Sequence, residues 1–169
     1  LVAERGRLMQ SLPRDGAMAS VQAEPARVEA AVAPLAAELS IAAYNTPEQT
    51  VISGRREAVA AVCSALEQEG ARTRQLLVSH AFHSPLMEPI LQDFARAVAA
   101  VPLRRPNLPL VSNLSGRLVG DEVTQVEYFT RHVRQPVQLV ASIQTLRELD
   151  VDTFIELGPQ PTLLGLAAA

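Results

Sequence analysis

Two of the chain's three histidines stand three residues apart, in Val78-Ser79-His80-Ala81-Phe82-His83-Ser84-Pro85-Leu86-Met87. Imidazole changes charge near neutral pH, so a histidine at the end of a strand is suited to taking up and returning a proton. The same pair could ligate a metal, but no cysteine or carboxylate stands at a convincing spacing and His132 is the one other histidine. It could also be a hydrogen-bonded structural pair. A base needs a nucleophile to activate. Ser79 and Ser84 flank the histidines, but neither sits on the sharp elbow that exposes a nucleophile. No Gly-x-Ser-x-Gly turn occurs anywhere in the 169 residues. All 15 basic residues other than histidine are arginine, which removes Schiff-base and lysine-base chemistry.

The elements around the pair follow from periodicity. A strand over 72–78 leads in, and a helix over 85–101 leads out. A strand end facing a helix start is where α/β folds place ligands. Upstream, alternation predicts a strand at 17–22. Pro25 opens a helix carrying Val28, Val32, Leu35 and Leu39 on one face. Strands at 40–44 and 50–53 flank a turn, and a helix over 55–68 ends before Gly70. The order β-α-β-β-α-β is that of a ferredoxin-like split unit. Residues 1–12 read as a helix. Beyond 102, the pattern predicts a short strand at 110–113, helices over 124–132 and 136–149, a strand at 152–157 and a last helix after Gly158-Pro159. The fold class is α/β: a small α+β subdomain over 17–78, inserted between 1–16 and 79–169, which belong to a larger subdomain with too few strands to stand alone.

Composition narrows the classes of function. The net charge of −3 and the lack of a basic patch exclude a nucleic-acid partner, and no apolar run is long enough to cross a membrane. A lone cysteine, Cys63, excludes an internal disulfide and fits a reducing cytoplasm; it falls on the apolar face of its helix. The chain opens as if in mid-helix and reads as a piece of something longer.

Several stretches, in order, resemble the acyltransferase domains of modular polyketide synthases, which are similar to bacterial malonyl-CoA:acyl carrier protein transacylases. They are Arg5-Gly6-Arg7-Leu8-Met9-Gln10, the hairpin Tyr44 to Gly54, the loop His80-Ala81-Phe82-His83-Ser84-Pro85, Arg131-His132-Val133-Arg134-Gln135-Pro136-Val137 and Glu156-Leu157-Gly158-Pro159. The resemblance implies an α/β hydrolase-like acyltransferase core with the ferredoxin-like unit inserted. It implies that His83 is the base, with its ring held by a backbone carbonyl at the position of His132. It implies that Arg5 grips the free carboxylate of the extender unit, as a guanidinium can with two parallel N–H groups. His80, Ala81 and Phe82 occupy the specificity loop in the form that members selective for malonyl carry. Asn45 could line the cleft, although ordinary turn chemistry accounts for it equally.

The family's nucleophile, in Gly-His-Ser-x-Gly, and the glutamine-bearing loop of its oxyanion hole have no match in this chain. The fragment is therefore expected to be inactive alone. No bound cofactor is implied. The implied substrates and partners are malonyl-CoA, the phosphopantetheine thiol of an acyl carrier protein, and the flanking ketosynthase and linker of a synthase. A stand-alone transacylase of fatty acid synthesis and a non-catalytic ferredoxin-like carrier-binding module are the rival readings.

Overall fold

The structure is a computed structural model and describes residues 1–168. It is mixed α/β. Helix α1 (Val2–Gln10) is followed by strand β1 (Gly16–Gln22), helix α2 (Pro25–Val32), strands β2 (Leu39–Thr46) and β3 (Gln49–Arg55), helix α3 (Arg56–Gln68) and strand β4 (Arg72–Gln75). After the histidine loop come a 3-10 turn (Pro85–Ile90) and α4 (Leu91–Ala99). Next are the hairpin strands β5 (Leu110–Ser112) and β6 (Arg117–Val119), a further 3-10 turn, α5 (Val126–Arg134) and β7 (Val137–Gln138). Helices α6 (Leu139–Glu148) and α7 (Thr162–Ala167) complete the chain.

The main sheet runs β4-β1-β3-β2-β7. Its first four strands are antiparallel, in the order of a split βαββαβ unit. Alternation along β1 explains its two faces. Ala17, Ala19 and Val21 point toward α2 and α3 and form a core with Val28, Leu39, Ile52 and Leu66. Met18 points the other way and packs with Ala42 and Val51. A third cluster joins Leu8 of α1, Met87, Ile90 and Phe94 beyond the histidine loop, and Val133 of α5. Phe82 packs against both of these last two clusters.

The structure departs from the sequence expectations in five places. Strand β4 stops at Gln75, not Val78. Leu76 still donates to the Met18 carbonyl at 2.9 Å, after which the chain leaves the sheet and Leu77 is fully exposed. The helix expected over 85–101 is split, because Pro89 has no N–H for an i→i−4 bond and the first six residues are 3-10. Residues 117–119 form a strand that lacked a sequence signal. The fifth strand of the main sheet, β7, comes from 137–138, within the segment assigned to the larger subdomain, and pairs parallel to β2 at Ala43 and Tyr44. Residues 152–157 form no strand. A strand of this kind needs a neighbour to complete its hydrogen bonds, and none of the described residues supplies one; Ile155 and Leu157 stand exposed.

Candidate active site

The histidine loop is seated on the sheet by close contact. A Cβ added to Gly16, at the start of β1, would lie 2.5 Å from the Ala81 Cβ, so only glycine lets the loop come this near. Ser84 is fully buried and caps the following 3-10 turn. Its hydroxyl donates to the Ala81 carbonyl at 2.7 Å and accepts from the Leu86 N–H at 3.2 Å. It is a loop-closing residue.

Between Ser84 and the sheet, His83 adopts a left-handed backbone with φ of 59°. Its Nδ1–H donates to the Gln135 carbonyl at 2.8 Å. A carbonyl can only accept, so this contact leaves Nε2 as the lone-pair nitrogen, the arrangement a general base requires. The carbonyl expected at His132 is thus replaced by one three residues later. Gln135 precedes Pro136, which forces it out of the helical region to φ −87° and ψ 159° and turns its carbonyl away from the ladder of α5. His132 lies within the helix, where its carbonyl runs along the axis.

His132 enters the site through its side chain. Its Nε2–H donates to the Asn113 Oδ1 at 2.7 Å, and its ring stands 6.4 Å from that of His83. Asn113 follows β5, whose Ser112 is tied to the Tyr128 hydroxyl at 2.7 Å. The small hairpin therefore fixes the orientation of the second imidazole. Sequence reading missed Asn113 and Gln135. The residue before Pro136 was a legible signal, and the partner of His132 was not.

His83, His132 and Arg5 line one cleft of about 540 Å³, together with Phe82, Asn45, Met18 and Leu76. Burial pushes the His83 imidazole below its ordinary value. The Gln135 contact works against this, and the His132 and Arg5 charges add to the lowering. His132 is also lowered, by burial first and then by Arg5. Both rings are therefore kept neutral beside a permanent cation. Arg5 takes part in no ion pair among the described residues, so its guanidinium remains available to an anion in the cleft.

The rest of the expected loop is divided. Phe82 faces the cleft. His80 does not: it is 2% exposed, and its Nε2–H donates to the Leu12 carbonyl at 3.2 Å. Ala81 is buried against Gly16. Neither can touch a substrate directly, because the tight seating of the loop turns both toward the protein interior. Asn45 lines the cleft and also clips the hairpin, donating from Nδ2 to the Gln49 Oε1 at 3.3 Å. Cys63 packs against the core, and burial pushes its thiol up. Among the described residues no group of three metal-ligating side chains occurs.

A neutral imidazole with one nitrogen anchored thus lines the same cleft as a guanidinium that has no ion-pair partner among the described residues. The acyl transferase domain model matches residues 1–168. The chain is 48% identical, over 98% of its length, to the phenolphthiocerol synthesis polyketide synthase type I Pks15/1 of Mycobacterium bovis, of which it spans 8%. It superposes with a TM-score of 0.95 and 42% identity on the acyltransferase domain from the second module of the salinomycin polyketide synthase, covering 98% of this chain and 39% of that one. It also matches the malonyl CoA-acyl carrier protein transacylase of Clostridium perfringens, with a TM-score of 0.91 and 29% identity over 98% of this chain and 54% of that one. With nearly its full length matched by the family model and by a solved acyltransferase domain, the chain belongs to the acyl transferase domain family.

Proposed function

We propose that this chain carries the base and the carboxylate grip of a malonyl transferase of polyketide biosynthesis. In the reaction, His83 Nε2 takes the proton of a serine hydroxyl contributed from outside these residues, and the serine oxygen attacks the thioester carbonyl of malonyl-CoA. The C–S bond breaks, and the proton passes to the departing coenzyme A sulfur. The malonyl ester then reacts with the phosphopantetheine thiol of an acyl carrier protein. The thiol proton goes to His83 Nε2 and is returned to the serine oxygen as its ester breaks. Arg5 holds the free carboxylate of malonyl throughout, and Phe82 crowds an α-methyl branch, a preference worth about 1–3 kcal/mol. Residues 17–78 act as the small subdomain, and 1–16 with 79–169 as parts of a hydrolase-like one. The flanking synthase domains deliver the carrier, in a reducing cytoplasm.

The observation that carries this reading is the shared cleft. A histidine with Nδ1 anchored lines the same hollow as an arginine with no carboxylate partner among the described residues. The greater identity to polyketide synthases than to the transacylase favours the modular type over the stand-alone enzyme.

The test is intact-protein mass after incubation with malonyl-CoA. The 169-residue chain is run beside the longer protein that includes the upstream serine motif. Malonylation of the longer protein only is the expected result. Labelling of the short chain would place the nucleophile within it, and labelling of neither would favour a non-catalytic module.

A further inference from the structure

The geometry points to Ser40 and Arg134 as positioning residues that hold the backbone of His83 in its left-handed conformation and so aim the imidazole into the cleft. This inference rests on His83 being the transfer base. A non-glycine residue at φ of 59° is strained by on the order of 1 kcal/mol or more and persists only where its surroundings hold it.

Two contacts hold it, one at the ring and one at the backbone. Gln135 takes the ring through Nδ1–H at 2.8 Å. Ser40, on β2, takes the backbone: its hydroxyl donates to the His83 carbonyl at 3.0 Å. Arg134 Nη1 donates to the same Ser40 oxygen at 3.2 Å, and Arg134 Nε donates to Glu88 Oε1 at 3.0 Å. A guanidinium has no acceptor, so Arg134 can engage only a lone pair of Ser40. The single hydroxyl proton is thereby directed at His83. Ser53, the cross-strand partner of Ser40, is buried with no hydrogen-bond partner and does not substitute for it.

Arg134 and Gln135 are consecutive, so the end of α5 grips His83 at the ring directly and at the carbonyl through Ser40. Ser40, Arg134 and Glu88 do not line the cleft, and they act through His83. The charged and titratable groups around that residue are Arg5 and His132 within the cleft, with Arg134 and Glu88 behind it. Of these, Arg5 and His132 lower the proton affinity of His83, and the Gln135 contact raises it. Loss of the Arg134 charge can act on that affinity only by raising it, so a fall on altering Ser40 or Arg134 reports movement of the ring away from Gln135.

The experiment uses the full-length acyltransferase that contains this segment, with Ser40→Ala, Ser40→Thr and Arg134→Met. Two quantities are read: kcat and KM for malonyl-CoA, and the pH midpoint for carbethoxylation of His83 by diethyl pyrocarbonate, followed by peptide mass. For Ser40→Ala and Arg134→Met, kcat falls on the order of tenfold or more while KM stays within about twofold. The His83 midpoint moves to lower pH as the Gln135 contact loosens. Ser40→Thr, which keeps the hydroxyl, retains parent values in both. Should Ser40→Ala fail to fold, Arg134→Met decides, since the Arg134 side chain is partly exposed. Folded variants with parent kcat and parent midpoint overturn the proposal. If the parent itself transfers no malonyl, the functional reading falls, yet the His83 midpoint still decides whether Ser40 and Arg134 position the ring.

Discussion

At His83, burial and the nearby cations oppose protonation while the Gln135 carbonyl favours it, and burial dominates. A base with a lowered pKa is already neutral in mildly acidic solution. The rising limb of kcat/KM with pH is therefore expected to lie below the ordinary histidine value of 6.5. A limb above that value in the full-length enzyme would contradict the assignment. Replacing His83 by Ala should lower transfer by about 10²–10⁴-fold, the usual contribution of general base catalysis, read as initial rate of carrier acylation. Arg5 acts differently. Its planar fork can meet two carboxylate oxygens, which a lysine ammonium cannot do. Arg5→Lys should therefore raise KM for malonyl-CoA roughly tenfold, about 1.4 kcal/mol, and leave turnover of acetyl-CoA, which has no free carboxylate, little changed. An equal loss with both substrates would remove Arg5 from the carboxylate site.

Among the elements, α5 and β1 set the loop. Pro136 ends α5 and fixes Gln135 in an extended conformation, which frees its carbonyl for the His83 ring. Pro136→Ala permits α5 to run on, and the His83 titration midpoint, followed by imidazole NMR, should fall as the contact is lost. At the other side, Gly16→Ala places a methyl where Ala81 and Leu86 already stand, so the histidine loop must shift. A cost of about 1–3 kcal/mol is expected, read from urea denaturation of the full-length protein. The βαββαβ order of elements was legible from the sequence, because alternation and the glycine and proline punctuation are local signals. The partners of the histidines were not, since Leu12, Asn113 and Gln135 lie 68, 19 and 52 residues away from His80, His132 and His83. Nothing in a local pattern encodes which carbonyl or amide a ring meets at such separations.

For the molecule as a whole, the two half-buried neutral histidines link stability to pH. Each binds a proton more readily unfolded than folded. Stability is therefore fully present above the unfolded value near 6.5 and is lost as pH falls from there through the lowered folded values. The Tm should rise between about pH 5 and about pH 7 and then level off, and His132→Gln should flatten that rise. A Tm that falls over this interval would contradict the neutral state of both rings. Large apolar side chains stand exposed, among them Leu77, Val78, Leu108, Ile155 and Leu157, and exposed apolar surface favours association. The 169-residue chain by itself is expected to self-associate, measured by sedimentation velocity; a monomer with a sharp cooperative melt would argue otherwise.

The sequence by itself limited the kinds of chemistry open to this protein: three histidines, arginine but no lysine, and no serine elbow among these residues. It also determined the βαββαβ order, because residue type and short-range periodicity carry that information. Tertiary structure decided which histidine serves the cleft. His80 and His83 are two residues of one loop with the same side chain, yet one is tied inward to Leu12 and the other is held at the cleft by Gln135. That difference arises from the left-handed turn at His83 and the close approach of Ala81 to Gly16, which depend on packing between distant segments rather than on any local propensity.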